Sequence, residues 1–194
     1  MNINQTCYCK LQYCADFEYP ENILLRQPRR IEVTGRSNEK VYTEEYYNFQ
    51  NLKDRIDYFC NLDVEGYRKQ NIDIYSNQCS FREFRFGNRF NDSIKVGISS
   101  YGWNISALFF IYLWDYFKAK YGEIDGNRKY SELADSNEVW FYSDYHSEPN
   151  FASACNLVSS ETAYIMLKNF LDNGTLEEGL DPEVFNREIL KRNY

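Results

Sequence analysis

Between Cys7 and Tyr19 every odd position is apolar or aromatic (Cys7, Cys9, Leu11, Tyr13, Ala15, Phe17, Tyr19), while the even positions are mostly polar (Thr6, Tyr8, Lys10, Gln12, Cys14, Asp16, Glu18). Successive side chains of a strand point to opposite faces, so this period of two predicts a half-buried strand closed by Pro20. A chain that starts this way needs a sheet with one dry face and something to cover it. At 194 residues, with 43% hydrophobic residues including 18 Tyr and 14 Phe, it can bury a core of ordinary size.

The remaining pattern is mixed. Arg30–Thr34 reads as a second strand, and Gly35–Asn38 as a turn. Thr43, followed by Glu44 and Glu45, reads as a helix start with acids at the positive end of the dipole. Tyr46, Phe49, Leu52, Ile56, Phe59 and Cys60 then recur at helical steps as far as about Leu62, with Gly66 beyond. Strands are predicted at Ile72–Tyr75, at Ser80–Phe86 before a Gly87-Asn88 turn, at Ile94–Ile98, and at Val139–Tyr142. The apolar run Ala107–Trp114 predicts a buried helix from a cap at Asn104 to Tyr121, with Gly122 as its stop and Glu123–Asn127 as a turn. Ser159 or Ser160 caps a further helix that Asn173-Gly174 ends, and Asp181-Pro182-Glu183 opens a last one. Too few helices for regular βαβ alternation, together with hairpin-like strand pairs, predict a single α+β domain over residues 1–194: a mainly antiparallel sheet against about four helices.

Motifs for chemistry are sparse. No phosphate loop occurs, since Gly97 to Gly102 lacks the Lys that would follow, and Asp125-Gly-Asn127 is too short for a calcium loop. Cys7, Cys9 and Cys14 have no nearby His, and strand parity turns Cys14 away from the other two. The six cysteines are therefore expected to be reduced thiols, and no metal or other cofactor is expected. His146 is the one histidine, so an imidazole-based enzyme would have to pair it with a residue such as Cys155. Neither is flanked by a nucleophile motif, and no catalytic residue is assigned. No segment reaches the ~20 apolar residues of a membrane span. MNINQTCYCK lacks a secretory pattern, which gives a cytoplasmic expectation.

Charge narrows the choice of partner. Residues 1–97 carry 14 basic and 14 acidic side chains, whereas residues 98–194 carry 8 and 15, so the whole net charge of −7 lies in the second half. Within it, Glu123, Asp125, Glu132, Asp135, Glu138, Asp144 and Glu148 face only Arg128 and Lys129. Such a field repels nucleic-acid backbones and attracts cations. With Trp140, Tyr142 and Tyr145 interleaved, the segment is the candidate partner-binding surface, because Tyr and Trp anchor interfaces. In composition and size the chain resembles bacterial immunity proteins, which bind and neutralise basic nuclease domains of contact-delivered toxins. That likeness implies a non-enzymatic inhibitor with a basic protein partner. The opposing candidate is the stretch Phe81–Phe90, where Arg82, Arg85 and Arg89 lie among Phe81, Phe84, Phe86 and Phe90. Exposed aromatic faces beside guanidinium groups would make a single-stranded nucleic-acid platform.

Overall fold

The computed structural model describes residues 7–15, 29–33, 40–70, 78–99, 108–134, 138–143 and 146–177. In chain order the elements are β1 (Cys9–Ala15), β2 (Arg29–Val33), β3 (Lys40–Tyr46), α1 (Phe49–Gln70), β4 (Gln78–Gly87), β5 (Ser93–Ser99), β6 (Leu108–Ile111), α2 (Leu113–Leu133), β7 (Glu138–Ser143), β8 (His146–Ser153), β9 (Leu157–Ser159) and α3 (Ser160–Asn173). The main sheet runs β2-β3-β1-β4-β5-β6-β9, each neighbour antiparallel. The first half of β4 pairs instead with β7, in parallel, and β7 pairs with β8. The architecture is thus α+β, as predicted, with three α-helices among the described residues rather than about four. The helix predicted from Asp181 lies outside them.

The opening alternation works as read. Cys7, Cys9, Leu11 and Tyr13 are buried, while Lys10 is exposed. Residues 16–19 lie outside the described set. The same parity continues across the sheet: Tyr42, Glu44 and Tyr46 from β3, Phe84 and Phe86 from β4, and Ile94, Val96 and Ile98 from β5 all face inward. Leu52, Ile56 and Phe59 of α1 and Ala163, Met166, Leu167, Phe170 and Leu171 of α3 complete this core. The opposite face is mixed, with Glu45, Glu83 and Arg85 exposed but Thr43 and Phe110 buried.

Four expectations are corrected. Thr43, Glu44 and Glu45 belong to β3, and α1 begins after Asn48, whose Oδ1 accepts from the backbone N–H groups of Gln50 and Asn51. A Thr-Glu-Glu run suits either element, and here the inward parity of Tyr42, Glu44 and Tyr46 decides. Helix α1 runs through Gly66 to Gln70 instead of stopping near Leu62. The apolar run at Leu108–Ile111 is a strand, buried on both sides at Phe109, Phe110 and Ile111, and such a run carries no period to separate a doubly buried strand from a buried helix. Asn104 lies outside the described residues, and α2 starts at Leu113; Gly122 does break it, but helix resumes at once and runs to Leu133, so Glu123–Asn127 is helical and not a turn.

Between β4 and β5 the connection spans residues 88–92, longer than a Gly87-Asn88 turn. The Asn88 side chain organises it, with Oδ1 accepting from the N–H groups of Phe90 and Asp92, and Nδ2 donating to the carbonyl of Phe170. Helix α3 matches its prediction. Ser159 caps it by accepting from the Thr162 N–H, and Gly174 closes it in the left-handed conformation at φ 75°.

Candidate functional site

Helix α2 does not run straight. Gly122 adopts φ 81° and ψ 172°, a conformation essentially restricted to glycine, and the helix folds back on itself there. A Cβ at Gly126 would lie 2.7 Å from the backbone N and Cα of Lys118. In an uninterrupted helix those residues would stand about 12 Å apart. Only a glycine allows the two halves so close. Across the fold Trp114 Nε1 donates to Asn127 Oδ1 at 2.7 Å, and Lys118 Nζ lies 3.2 Å from Glu123 Oε1 and 4.9 Å from the Trp114 ring centroid.

The result is a helical corner that leaves a large apolar side chain exposed on each of its halves. Ile124 is 85% exposed and Trp114 43% exposed, with Asp115, Glu123 and Asp125 also exposed around them. Ordinary globular surfaces bear single exposed apolar residues without consequence, but here the indole is fixed from two sides before any partner arrives. Trp114 was expected to be buried, and Ile124 was not singled out. Its signal was a lone apolar residue set between Glu123 and Asp125 in the most acidic part of the chain.

The acids of the candidate surface are only partly gathered. Glu123 pairs with Lys118, and Asp125 lies 3.0 Å from Arg128. Asp115, Glu123, Asp125 and Glu132 are matched in number on α2 by Lys118, Lys120, Arg128 and Lys129. Glu123 and Asp125 also begin the second helical half, where negative charge meets the positive end of the dipole. Glu138, Trp140 and Tyr142 occupy alternate positions of β7, with Trp140 opposite Phe151 and Tyr142 opposite Pro149, and Glu148 lies in β8. Asp135, Asp144 and Tyr145 fall outside the described residues.

Beneath the corner, Glu177 acts as a clamp. It accepts from the Tyr121 hydroxyl and lies within 3.9 Å of Lys120 and 4.0 Å of Lys129, tying both halves of α2 to the chain after α3. Burial alone would raise its pKa, but the Tyr121 hydrogen bond, Lys120, Thr175 and Lys129 together hold it below the usual carboxylate range.

A second cluster, unforeseen from sequence, lies inside the core. Glu44 is 0% and Arg55 5% exposed. Arg55 donates from Nε to Glu44 Oε2 at 3.0 Å and from Nη2 to Oε1 at 2.8 Å, while the Tyr13 and Tyr46 hydroxyls donate to the same carboxylate at 2.7 and 2.6 Å. Burial pushes the Glu44 pKa upward, yet the guanidinium and the two phenols overcome it, and the carboxyl is held below its ordinary value. The group joins β1, β3 and α1 and offers no open position to a ligand. Its sequence signal was Glu44 standing midway between two inward tyrosines.

Candidates for other chemistry fall into place as follows. Cys155 is buried in the short turn before β9, and His146 opens β8 opposite Ser143. Cys7 and Cys9 are also unbridged; burial, with Asp172 nearby, pushes the Cys7 thiol up to about 11, and burial raises Cys9 well above 9.0. Among the described residues no three His, Cys, Asp or Glu side chains gather as metal ligands, and no helix is long and apolar enough to cross a membrane. Of the Arg/Phe stretch, Phe84 is buried against Tyr13 and Phe59 and Phe86 is buried beside Phe84, so neither ring offers a face to a base. Arg89 donates to the Asp172 carbonyl at 2.8 Å, serving the C-terminus of α3, and Phe90 is exposed, while the Phe81 and Arg82 side chains lie outside those described. The chain matches no protein-family model, no curated protein and no solved structure.

Proposed function

We propose that this chain is a non-enzymatic binding protein for a basic protein surface, in the manner of bacterial immunity proteins that occupy a toxin's nuclease domain. The observation that carries the reading is the exposure of Trp114 and Ile124, one on each half of α2, in the half of the chain that holds the entire net charge of −7. A rigid aromatic and a projecting aliphatic residue supply anchor contacts, while the acidic half steers a cationic partner toward them. Local pairing of Glu123 and Asp125 limits the field beside Ile124, so long-range steering falls to the whole acidic half and affinity to the two anchors. The burial of Phe84 and Phe86 weighs against the nucleic-acid alternative, because base stacking needs open rings.

The test is binding of the purified chain to a panel of cationic nuclease domains from contact-delivered toxins, with oligonucleotides in parallel. One domain should bind in a salt-sensitive manner and lose nuclease activity. Trp114→Ala and Ile124→Arg should each weaken that binding by about 30-fold or more, the scale of an interface anchor. Oligonucleotide binding at moderate salt without any protein partner would replace this reading.

A further inference from the structure

Glu44 and its neighbour Glu45 stand on opposite faces of β3, the first buried and the second exposed. Each carboxylate accepts from two phenols, one in or beside β1 and one two residues further along its own chain. Inside, Tyr13 donates to Glu44 Oε1 at 2.7 Å and Tyr46 to Oε2 at 2.6 Å. Outside, Tyr8 donates to Glu45 Oε1 at 3.4 Å and Tyr47 to Oε2 at 3.0 Å. Arg55 completes the inner set: its fork meets both Glu44 oxygens while its carbon lies 4.4 Å from the Phe59 ring centroid. The outer set faces solvent, and among the described residues no cation lies within 4 Å of Glu45. Lys10, its exposed partner in the β1–β3 register, forms no ion pair with it.

The outer phenols occupy one lone pair on each Glu45 oxygen and leave the others to a donor arriving from solvent. Burial and then Glu45 raise the Tyr8 pKa, and the hydrogen bond to Glu45 raises that of Tyr47, so both stay protonated at neutral pH. Their rings lie 5.6 Å apart at 52°, and Tyr47 is 52% exposed. What fits is a planar cation that forks onto both carboxylate oxygens and lays its face on a phenol ring, which suits guanidinium better than ammonium. Arg55 does both at once on the other side of the same strand. We propose that Tyr8, Glu45 and Tyr47 form a recognition site for one arginine side chain of a protein partner, on the face of the sheet opposite the core. The site names a residue type that the basic partner must present, and it rests on the proposed function only for that partner being a protein.

The test is an NMR titration of the full chain with N-acetyl-arginine amide, a mimic of a chain-borne arginine. It is read on the Tyr8 and Tyr47 ring signals, which Tyr8→Phe and Tyr47→Phe assign. Both rings should shift saturably, with a Kd on the order of 10 mM, the scale of one side chain. The citrulline analogue, equal in shape but uncharged, should leave them unmoved, and N-acetyl-lysine amide should bind at least about 3-fold more weakly. Glu45→Gln, at an exposed position, should weaken arginine binding by about 10-fold or more. Lys10→Ala should tighten it about 2-fold by removing the competing cation beside Glu45. Rings that do not respond, equal binding of the lysine or citrulline analogue, or a titration unchanged by Glu45→Gln would each overturn the site. A 10-fold preference for free L-arginine over the capped form would overturn the protein source. Failure here leaves the Trp114 and Ile124 reading intact, and failure to find a nuclease partner leaves this titration unaffected.

Discussion

Replacing Arg55 with leucine tests whether the core of this fold is built around a buried charge. The guanidinium provides two of the hydrogen bonds on Glu44, and its carbon lies 4.4 Å from the Phe59 ring centroid. Without it, the carboxylate would keep the Tyr13 and Tyr46 hydroxyls but lose its cationic partner in a place closed to water. Breaking a buried pair from one side costs about 3–5 kcal/mol. A domain of this size is stable by about 5–15 kcal/mol, so the loss would be a large share of the total. Removing all four polar partners together (Glu44→Leu, Arg55→Leu, Tyr13→Phe, Tyr46→Phe) should cost less than the single change, since no group is then left unsatisfied. Urea titration at neutral pH gives both numbers, provided the slope with denaturant stays constant. The pH dependence supplies the sign. The folded state holds the Glu44 pKa below its ordinary value of 4.5, so its stabilisation is complete above that pH and lost as pH falls through the lower folded value. Glu44→Gln should flatten that part of the profile. A loss under about 1 kcal/mol for Arg55→Leu, the scale of a solvated surface pair, would refute the reasoning.

Three further outcomes follow from the same geometry. Phe84→Ala, which empties a ring position between Tyr13, Phe59 and Phe86, should cost about 3–5 kcal/mol by denaturant titration. Ser159→Ala should cost about 1 kcal/mol by removing the acceptor for the Thr162 N–H, and Ser159→Asp should recover most of it. Gly174→Ala should cost about 1–3 kcal/mol, because φ is 75° and the new Cβ would lie 3.3 Å from Phe90 Cδ2; Asn at this position should be milder in thermal unfolding.

Much of the fold was legible wherever the sequence carried a period. The alternation at Cys7–Tyr13, the stripe Leu52–Ile56–Phe59 and the Ser159/Gly174 boundaries of α3 each state their environment locally. Legibility failed where a run was apolar on all sides, at Leu108–Ile111, and where local signals were outvoted by partners remote in sequence. Thr43-Glu44-Glu45 carries a helix-start signature, but Glu44 belongs to a strand because Arg55 awaits it and β1 and β2 flank it. Gly122 does interrupt α2, as a stop signal should, yet the chain resumes as helix because Gly126 can lie on the Lys118 backbone, a contact invisible before the chain folds. The acidic stretch was readable as composition only. Which carboxylates meet cations depended on that same reversal, since Lys118 reaches Glu123 across it.

Strand β4 belongs to two neighbourhoods at once: Gln78–Phe81 lie beside Trp140–Ser143, and Phe84–Gly87 lie between β1 and β5. A nascent chain emerging from the ribosome can therefore fill the middle of its main sheet once Ser99 has appeared, but one half of that middle strand goes unmatched on its other flank until some forty residues later. During that interval the growing polypeptide presents an open backbone ladder at Gln78–Phe81, and synthesis halted between Ser99 and Glu138 would leave the ladder without its mate.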